Sequence, residues 1–384
     1  MRVAIDIQSL LRRKTGVGHA LYDLIEALAA LHAPDEFTAF YFSRRRNHIG
    51  LPFCHERFLE RRIGFPPGRL LSALWKKLPF PAVDRFLDGA DLYHFPDFVA
   101  RPVKRGKVVV TVHDLSFARL PETVEPKNRA YLAKKVPASL ERADAVIAVS
   151  DFTRRELEDL YPASRGKVHV IHHGVRRLFR ADPDEEPRPE PWAHGVPGRY
   201  VLAVGTIEPR KNLDLLLDAM RIVRRDPALV DIALVIAGGR GWLADETQAR
   251  LQAEEQAGRL IRVGYVSDTV LHRLYWGALA LAFPTKYEGF GLPALEAMAC
   301  GLPVVCSNVA SLPEVVGDAA ILVEEPSAEA FADALRRLFA DETLAADLRR
   351  RGLERAAAFT WENAARKTLD LYRQVLGGHD ANRH

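Results

Sequence analysis

The chain has 384 residues, 48% of them hydrophobic and 27% charged, with 54 lysines and arginines against 50 aspartates and glutamates. That length and composition suit two domains with full cores, and a net charge of only +4 argues against a bulk electrostatic hold on nucleic acid. Three cysteines, Cys54, Cys300 and Cys306, show no metal-ligand spacing and are odd in number, which argues against zinc and a disulfide framework and for a reducing compartment.

In chain order, RVAIDI at 2–7 reads as a first strand, too short for the apolar core of a signal peptide. No apolar run approaches the roughly 20 residues of a membrane span, so any membrane contact is expected to be peripheral. The loop QSLLRRKTGVG and then HALYDLIEALAALH, apolar at helical spacing, give strand, glycine loop, helix. FTAFYFS, KVVVTVHD (107–114), DAVIAVS (144–150) and KVHVIHHG (167–174) are further short β-rich runs, so the first half is an α/β domain. Between the first of these runs and the rest, segment 44–80 carries Arg44, Arg45, Arg46, Arg57, Arg61, Arg62, Arg69, Lys76 and Lys77 against Glu56 and Glu60, interleaved with Phe58, Phe65, Leu70, Leu71, Leu74 and Trp75. Such a segment suits an anionic membrane surface, a diphosphate-linked lipid or plain solvation, and it lacks any nucleic-acid reading module.

Residues 181–199, rich in proline and acid without periodicity, read as an interdomain linker. A second series follows: strands YVLAVGT (200–206), IALVIAGG (232–239), LIRVGYV (260–266), LALAFPT (279–285), VVCS (304–307) and AAILVEE (319–325), with helices at 212–225, 245–258 and from Asp268 between them. Short strands alternating with helices predict a mostly parallel sheet covered on both faces, hence two Rossmann-like halves in tandem. Helical segments at 328–356 and 361–375, with cap signals Ser327 and Thr360, close the pattern, and 376–384 reads as a disordered tail.

Ligands of open parallel sheets sit beyond the carboxyl ends of the strands. There the sequence places Gly16 and Gly18, His113 and Asp114, Arg210 and Lys211, and Glu288, and two such edges facing each other would form a cleft. Arg210 and Lys211 precede a helix start at Asn212, where cations are disfavoured by the dipole and call for a counter-ion such as a diphosphate; a solvated basic turn is the plainer account. Gly16-Val17-Gly18 could bring backbone donors to an anion, yet lacks the third glycine of GxGxxG and the lysine of a P-loop. In EGFGLPALEAMACGLPVV (288–305), Gly289 and Gly291 permit unusual backbone, Pro293 suits a first helical turn, and the N–H groups at 291–294 are anion donors. Glu288 can reach a polar ligand before that helix; Glu296 can accept a ribose diol or simply stabilise the first turn. His113 suits a base or a donor to a sugar hydroxyl, whereas His172 and His173 read as packing.

These motifs, in this order and over nearly the whole chain, resemble the retaining GT-B glycosyltransferases of family 4, particularly its mannosyltransferase-like members: MRVAIDIQSLLRRKTGVG, TVHDLSFARLPE, VIAVSDFTRREL, HHGV, VGTIEPRKNLDLLLDA, LVIAGG, GYVSD, AFPTKYEGFGLPALEAMACGLPVVCSN and SLPEVVGDAA. The resemblance implies a GT-B fold: two Rossmann-like domains facing across a cleft, with 1–180 on the acceptor side, 181–199 as linker, 200–360 holding the nucleotide-sugar, and the helix 361–375 crossing back to the first domain. It implies no metal or other cofactor. Arg210 and Lys211 would hold the donor diphosphate, aided by backbone of Gly16, Val17, Gly18 and Gly205; Glu296 the ribose; and Glu288, Gly289, Phe290, Gly291 and Leu292 the sugar and its phosphate. His113 and Glu288 would orient and stabilise the oxocarbenium-like sugar in a front-face transfer, while Arg210 and Lys211 stabilise the departing diphosphate. The implied reaction moves a hexose, foremost mannose from GDP-mannose, to a glycan on a polyprenyl-diphosphate carrier. UDP-glucose or UDP-N-acetylglucosamine as donor, or a non-catalytic nucleotide-sugar binder, are the alternatives. Arg57, Arg61, Arg62, Lys76 and Lys77 are the candidates for acceptor or anionic-membrane contact at the cytoplasmic face, and no nucleic-acid partner is expected.

Overall fold

The computed structural model describes residues 1–11, 16–43, 49–52, 54–65, 68–75, 78, 80–179, 195–242 and 245–377. Arg44, Arg45, Arg46, Lys76 and Lys77, residues 181–194 of the expected linker and 378–384 of the expected tail lie outside these. The chain divides into two compact units, Met1–Arg119 with Pro126–Gly174 and Trp361–His384, and Leu120–Glu125 with Val175–Thr360. Each is a parallel sheet with helices, as the alternation predicts.

In the first unit, β1 (Arg2–Asp6), β2 (Glu36–Phe42), β3 (Phe58–Ile63), β4 (Leu92–Phe95), β5 (Lys107–Val112), β6 (Ala145–Ala148) and β7 (Val168–Val170) form a sheet in the order β3-β2-β1-β4-β5-β6-β7. Every pairing in it is parallel. The runs VVVTV and AVIA are buried along their length because helices cover both faces of such a sheet. The helices are α1 (Gly16–Ala30), α2 (Gly68–Trp75), α3 (Ser116–Arg119), α4 (Pro126–Arg142) and α5 (Asp151–Leu160). Two strands escape sequence reading. FLERRI is a charged edge strand within the basic segment, and LYHF is only four residues long and flanked by polar turns.

The second unit orders its six strands β10-β9-β8-β11-β12-β13, all parallel: β8 (Tyr200–Val204), β9 (Ala233–Ala237), β10 (Leu260–Gly264), β11 (Ala280–Phe283), β12 (Val304–Ser307) and β13 (Ile321–Val323). Its helices are α6 (Leu213–Val223), α7 (Asp245–Gln256), α8 (Asp268–Gly277), α9 (Leu292–Ala299), α10 (Leu312–Val316), α11 (Ala328–Ala340) and α12 (Glu342–Ala357). On α6, Leu213, Leu216, Leu217, Met220 and Val223 follow the i, i+3, i+4 pattern and join Phe331, Leu335 and Leu338 of α11 in one core. Ser327 caps α11, accepting from Ala330 N at 3.1 Å. The expected 328–356 helix is two, because Asp341 leaves helical geometry and caps α12 through Leu344 N at 2.9 Å.

The chain then returns to the first unit as α13 (Trp361–Gly377), which packs on α1. Tyr372 fixes it from within: its hydroxyl lies 2.7 Å from His94 Nδ1, while His94 Nε2 meets Thr111 Oγ1 at 2.8 Å. Both rings are fully buried. Burial lowers the His94 pKa to about 3, so this imidazole is neutral, donating from one nitrogen and accepting at the other. Arg373 adds a pair with Asp35 at 2.9 Å. Among the described residues no helix is long and apolar enough to cross a membrane.

Replacing Tyr372 by Phe strands a buried imidazole nitrogen and should lower stability by about 1–2 kcal/mol. Thermal denaturation reads this directly, and a Tm equal to that of the unmodified chain would show that the hydroxyl does not secure α13.

Candidate active site

In the second sheet the strand order reverses between β8 and β11, the position where ligands of parallel sheets collect. The segments leaving these two strands carry the candidate residues, and they are laced together. Lys286 N donates to Arg210 O at 2.9 Å, and Arg210 Nη1 to Tyr287 O at 2.7 Å. Glycine makes the approach of the β8 and β9 ends possible, since a Cβ on Gly238 would stand 1.9 Å from Gly205 O. Gly205 itself, at φ 139°, lets the Lys211 stem pass over it, for a Cβ there would lie 2.9 Å from Lys211 Cε.

Arg210 and Lys211 end a short 3-10 turn, Pro209–Lys211. The counter-ion that the sequence sought in a ligand is already in the protein. Lys211 Nζ lies 2.5 Å from Glu288 Oε1, Arg210 Nη1 3.1 Å from Glu288 Oε2, and Arg210 Nη2 2.8 Å from Glu208. Thr285 Oγ1, 3.0 Å from Glu288 Oε1, adds a hydroxyl donor, and Ser311 Oγ donates to the Glu288 carbonyl at 2.9 Å. Burial pushes the Glu288 carboxyl up, but the charges of Arg210 and Lys211 and the bonds from Lys211 and Thr285 outweigh it, and the net shift is downward. Asn212 occupies the cap position of α6, but in left-handed geometry (φ 54°) and with no side-chain cap bond.

The glycine turn before α9 uses one unusual conformation, not two: Gly291 has φ 102°, and Gly289 is not among the positive-φ glycines. The four anion-binding amides expected at 291–294 also shrink in number. Pro293 has no N–H and Ala294 N donates to Gly291 O at 3.0 Å, leaving the N–H groups of Gly291 and Leu292 without an acceptor among the described residues. Glu296 sits in the second turn, so the first-turn dipole account does not apply to it. Its Oε1 accepts from Arg176 Nη2 and its Oε2 from the Tyr275 hydroxyl, each at 2.9 Å. Arg176 also pairs with Asp268 at 2.7 Å and lies 4.4 Å over the Phe179 ring. Burial raises the Glu296 carboxyl above its ordinary value, against the opposing pull of Arg176 and Tyr275. Two donors leave capacity on this carboxylate for a diol, since it has about four lone-pair sites.

In the first unit, Gly16, Val17 and Gly18 belong to the first turn of α1 itself. His113 follows β5, and its Nε2 lies 2.8 Å from Pro96 O; a carbonyl only accepts, so that nitrogen carries the proton. Its ring stacks on His173 at 5.5 Å, which in turn lies against Trp361 at 5.3 Å, in keeping with a packing role for His173. Burial lowers the His113 pKa, so the imidazole is neutral, with Nδ1 as its acceptor. Of the expected basic contacts that are described, Arg61 pairs with Asp88 and Arg62 Nη1 donates to Ser43 O at 3.0 Å, while Arg57 is exposed. Sequence reading missed Arg176, Tyr275, Thr285 and Ser311, which are conspicuous only through their contacts. Among the described residues no three His, Cys, Asp or Glu side chains gather as a metal-ligand set.

Residues 14–178 match the family described as Glycosyltransferase Family 4, and residues 184–355 that described as Glycosyl transferases group 1. Over 373 residues the chain is 33% identical to an O-antigen chain mannosyltransferase B of Escherichia coli, covering 94% of this chain and 96% of that one. The chain belongs to the GT-B glycosyltransferases of this family. It is accordingly an enzyme, which sets aside the non-catalytic binder. The glycosyltransferase is also similar in structure to a sucrose-phosphate synthase from Thermosynechococcus elongatus, with a TM-score of 0.77, 25% identity, and 98% and 100% of the two chains covered. Anabaena HepE in complex with UDP and glucose shares the fold, with a TM-score of 0.69, 17% identity, and 97% and 99% covered.

The two glutamates should separate in stability. Glu288→Gln leaves Lys211 without a counter-ion and should cost about 3 kcal/mol, whereas Glu296→Gln keeps acceptors for Tyr275 and leaves Arg176 paired with Asp268. Because folding lowers the Glu288 pKa, the advantage of the unmodified chain over Glu288→Gln should be full above the ordinary glutamate value of 4.5 and disappear as pH falls through the lower folded value. Tm measured against pH checks this; equal Tm for both variants across the range would rule it out.

Proposed function

We propose that this glycosyltransferase moves a hexose from a nucleoside diphosphate donor, with retention of configuration, to a growing glycan on a polyprenyl-diphosphate carrier. The observation that carries the proposal is the nearly dry Lys211–Glu288–Arg210 cluster at the reversal of the second sheet, beside the open amides of Gly291 and Leu292. In this reading the donor diphosphate takes Arg210, Lys211 and those amides, with backbone of Gly205, Gly289 and Phe290 nearby in sequence. Fixed cations and amides favour charge that develops on a leaving diphosphate. Glu288 lies at the sugar and Glu296 at the ribose, while His113 and the backbone of Gly16, Val17 and Gly18 are assigned donor contacts on the strength of the family resemblance. The reaction is proposed to run without a metal.

Mannose from GDP-mannose is the first donor reading, supported by the O-antigen mannosyltransferase likeness. The second, UDP-glucose or UDP-N-acetylglucosamine, has the wider support, because a protein of this fold is described in complex with UDP and glucose. A ligand that binds only the folded state raises its Tm. Thermal denaturation with GDP, UDP, GDP-mannose and UDP-glucose should therefore show a selective upward shift, lost in Lys211→Ala. A shift that persists in Lys211→Ala, or none with any nucleotide at millimolar concentration, would overturn the donor site.

The proposal includes peripheral contact with an anionic membrane at the cytoplasmic face. With Arg61 and Arg62 engaged, the features that support it are apolar: Phe65 is 81% exposed, and Leu59, Leu70, Leu78 and Phe80 are each more than half exposed. Phe65→Ser with Phe80→Ser should lower partition onto anionic liposomes, and unchanged partition would leave the segment simply solvated.

A further inference from the structure

Arg101 lies outside the donor machinery, on the segment after β4. Its Nε donates to Asp6, the last residue of β1, whose other oxygen accepts from Gln8 N at 2.9 Å. Its guanidinium carbon stands 5.1 Å from the centroid of the Trp75 ring and 5.6 Å from that of Phe42, the last residue of β2. The first sheet reverses its strand order between β1 and β4, so this guanidinium occupies the carboxyl edge at the reversal, where parallel sheets bind ligands.

The side chain is only 19% exposed, yet among the described residues nothing accepts from Nη1 or Nη2. Two half-buried arginines that serve the fold use the terminal nitrogens that Arg101 leaves open. Arg224 places its guanidinium on the carbonyls of Ile232 and Arg259, and Arg355 on those of Val315 and Glu314. At Arg101 the carboxylate and two rings set the plane of the fork and leave its terminal pair for a bidentate oxyanion. Lys135 of α4 adds positive charge alongside, with Nζ 2.7 Å from Trp75 O, and Tyr131 of the same helix is 41% exposed in the field of Arg101.

What the oxyanion carries is suggested by α2, which ends at Trp75. Leu71 and Trp75 face inward at a spacing of four, while Leu70 and Leu74 on the outer side are 53% and 37% exposed, and Leu78 and Phe80 continue the apolar surface. A charged group beside a surface that is apolar on its solvent side fits an anionic headgroup with a hydrocarbon tail. We propose that Arg101, held by Asp6, Phe42 and Trp75, is the subsite for the diphosphate of a polyprenyl-linked acceptor. This rests on the acceptor class given above and adds the residues that would recognise it.

Isothermal titration of the full chain, with its donor site filled by saturating nucleoside diphosphate, tests the proposal with two probes, geranyl diphosphate and inorganic pyrophosphate. Geranyl diphosphate should bind, at least tenfold more weakly to Arg101→Gln, and with intermediate affinity to Arg101→Lys, which keeps the charge but loses the fork. Nucleotide affinity should stay unchanged in both variants, while Tm should fall in Arg101→Gln, which leaves the buried Asp6 without its counter-ion, and fall less in Arg101→Lys. Equal affinity for Arg101→Gln and the unmodified chain would overturn the subsite, and pyrophosphate binding as tightly as geranyl diphosphate would overturn the lipid-linked acceptor. Should Arg101→Gln fail to fold, Arg101→Lys alone decides. Failure of the donor reading looks different: Lys211→Ala would then keep its nucleotide affinity while the Arg101 result stood.

Discussion

A carboxylate and two cations, each at most 16% exposed, share one point at the carboxyl ends of β8 and β11. Charges removed from water this far persist only when each finds its opposite, because an unpaired buried ion costs several kcal/mol. Glu288 meets that need for Lys211 and Arg210, with Glu208, Thr285 and Ser311 holding the remaining polar atoms. The surrounding glycines follow from the same constraint: Gly238 lets the backbone of Gly205 come close, and Gly205 makes room for the lysine stem.

Such a cluster is set before any substrate arrives. Fixed cations beside open amides need no reorganisation as charge grows on a leaving group, which is how electrostatic preorganisation lowers a barrier. Glu296 is held by a different logic. Its partners Arg176 and Tyr275 come from elements distant in sequence, and burial raises its pKa where that of Glu288 is lowered. Two glutamates eight positions apart are thus both buried against cations, with the cations prevailing at Glu288 and burial prevailing at Glu296.

The first unit repeats the geometry with other residues. Asp6 and Arg101 meet where its sheet reverses, as Glu288 and Lys211 do in the second, but the Arg101 fork ends open while the cations of the second unit are compensated. His113 is neutral, with its proton committed to a backbone carbonyl and its ring stacked on His173. His94, Thr111 and Tyr372 form a buried polar thread that joins α13 to β4 and β5. Each of these side chains is pinned by a partner from another element, as a site requiring fixed geometry demands.

The sequence alone determined the class of fold, because alternating apolar runs and helical periodicity are local properties, and most strands of the second sheet, such as ALVIA and ALAF, are short apolar runs. It also carried the positions of Arg210, Lys211 and Glu288, since strand ends in a parallel sheet are predictable places for ligands, and that of Glu296 within the helix that follows the glycine turn. It could not reveal FLERRI as a strand, because a charged edge strand has little apolar signature, nor Arg176, Thr285 and Arg101 as residues of interest. Whether a cation is compensated by a ligand or by a carboxylate 77 positions away is decided only when β8 and β11 lie side by side. Pairing of that kind is a long-range contact with no local trace, so the tertiary structure alone could say which charges are already satisfied and which remain open.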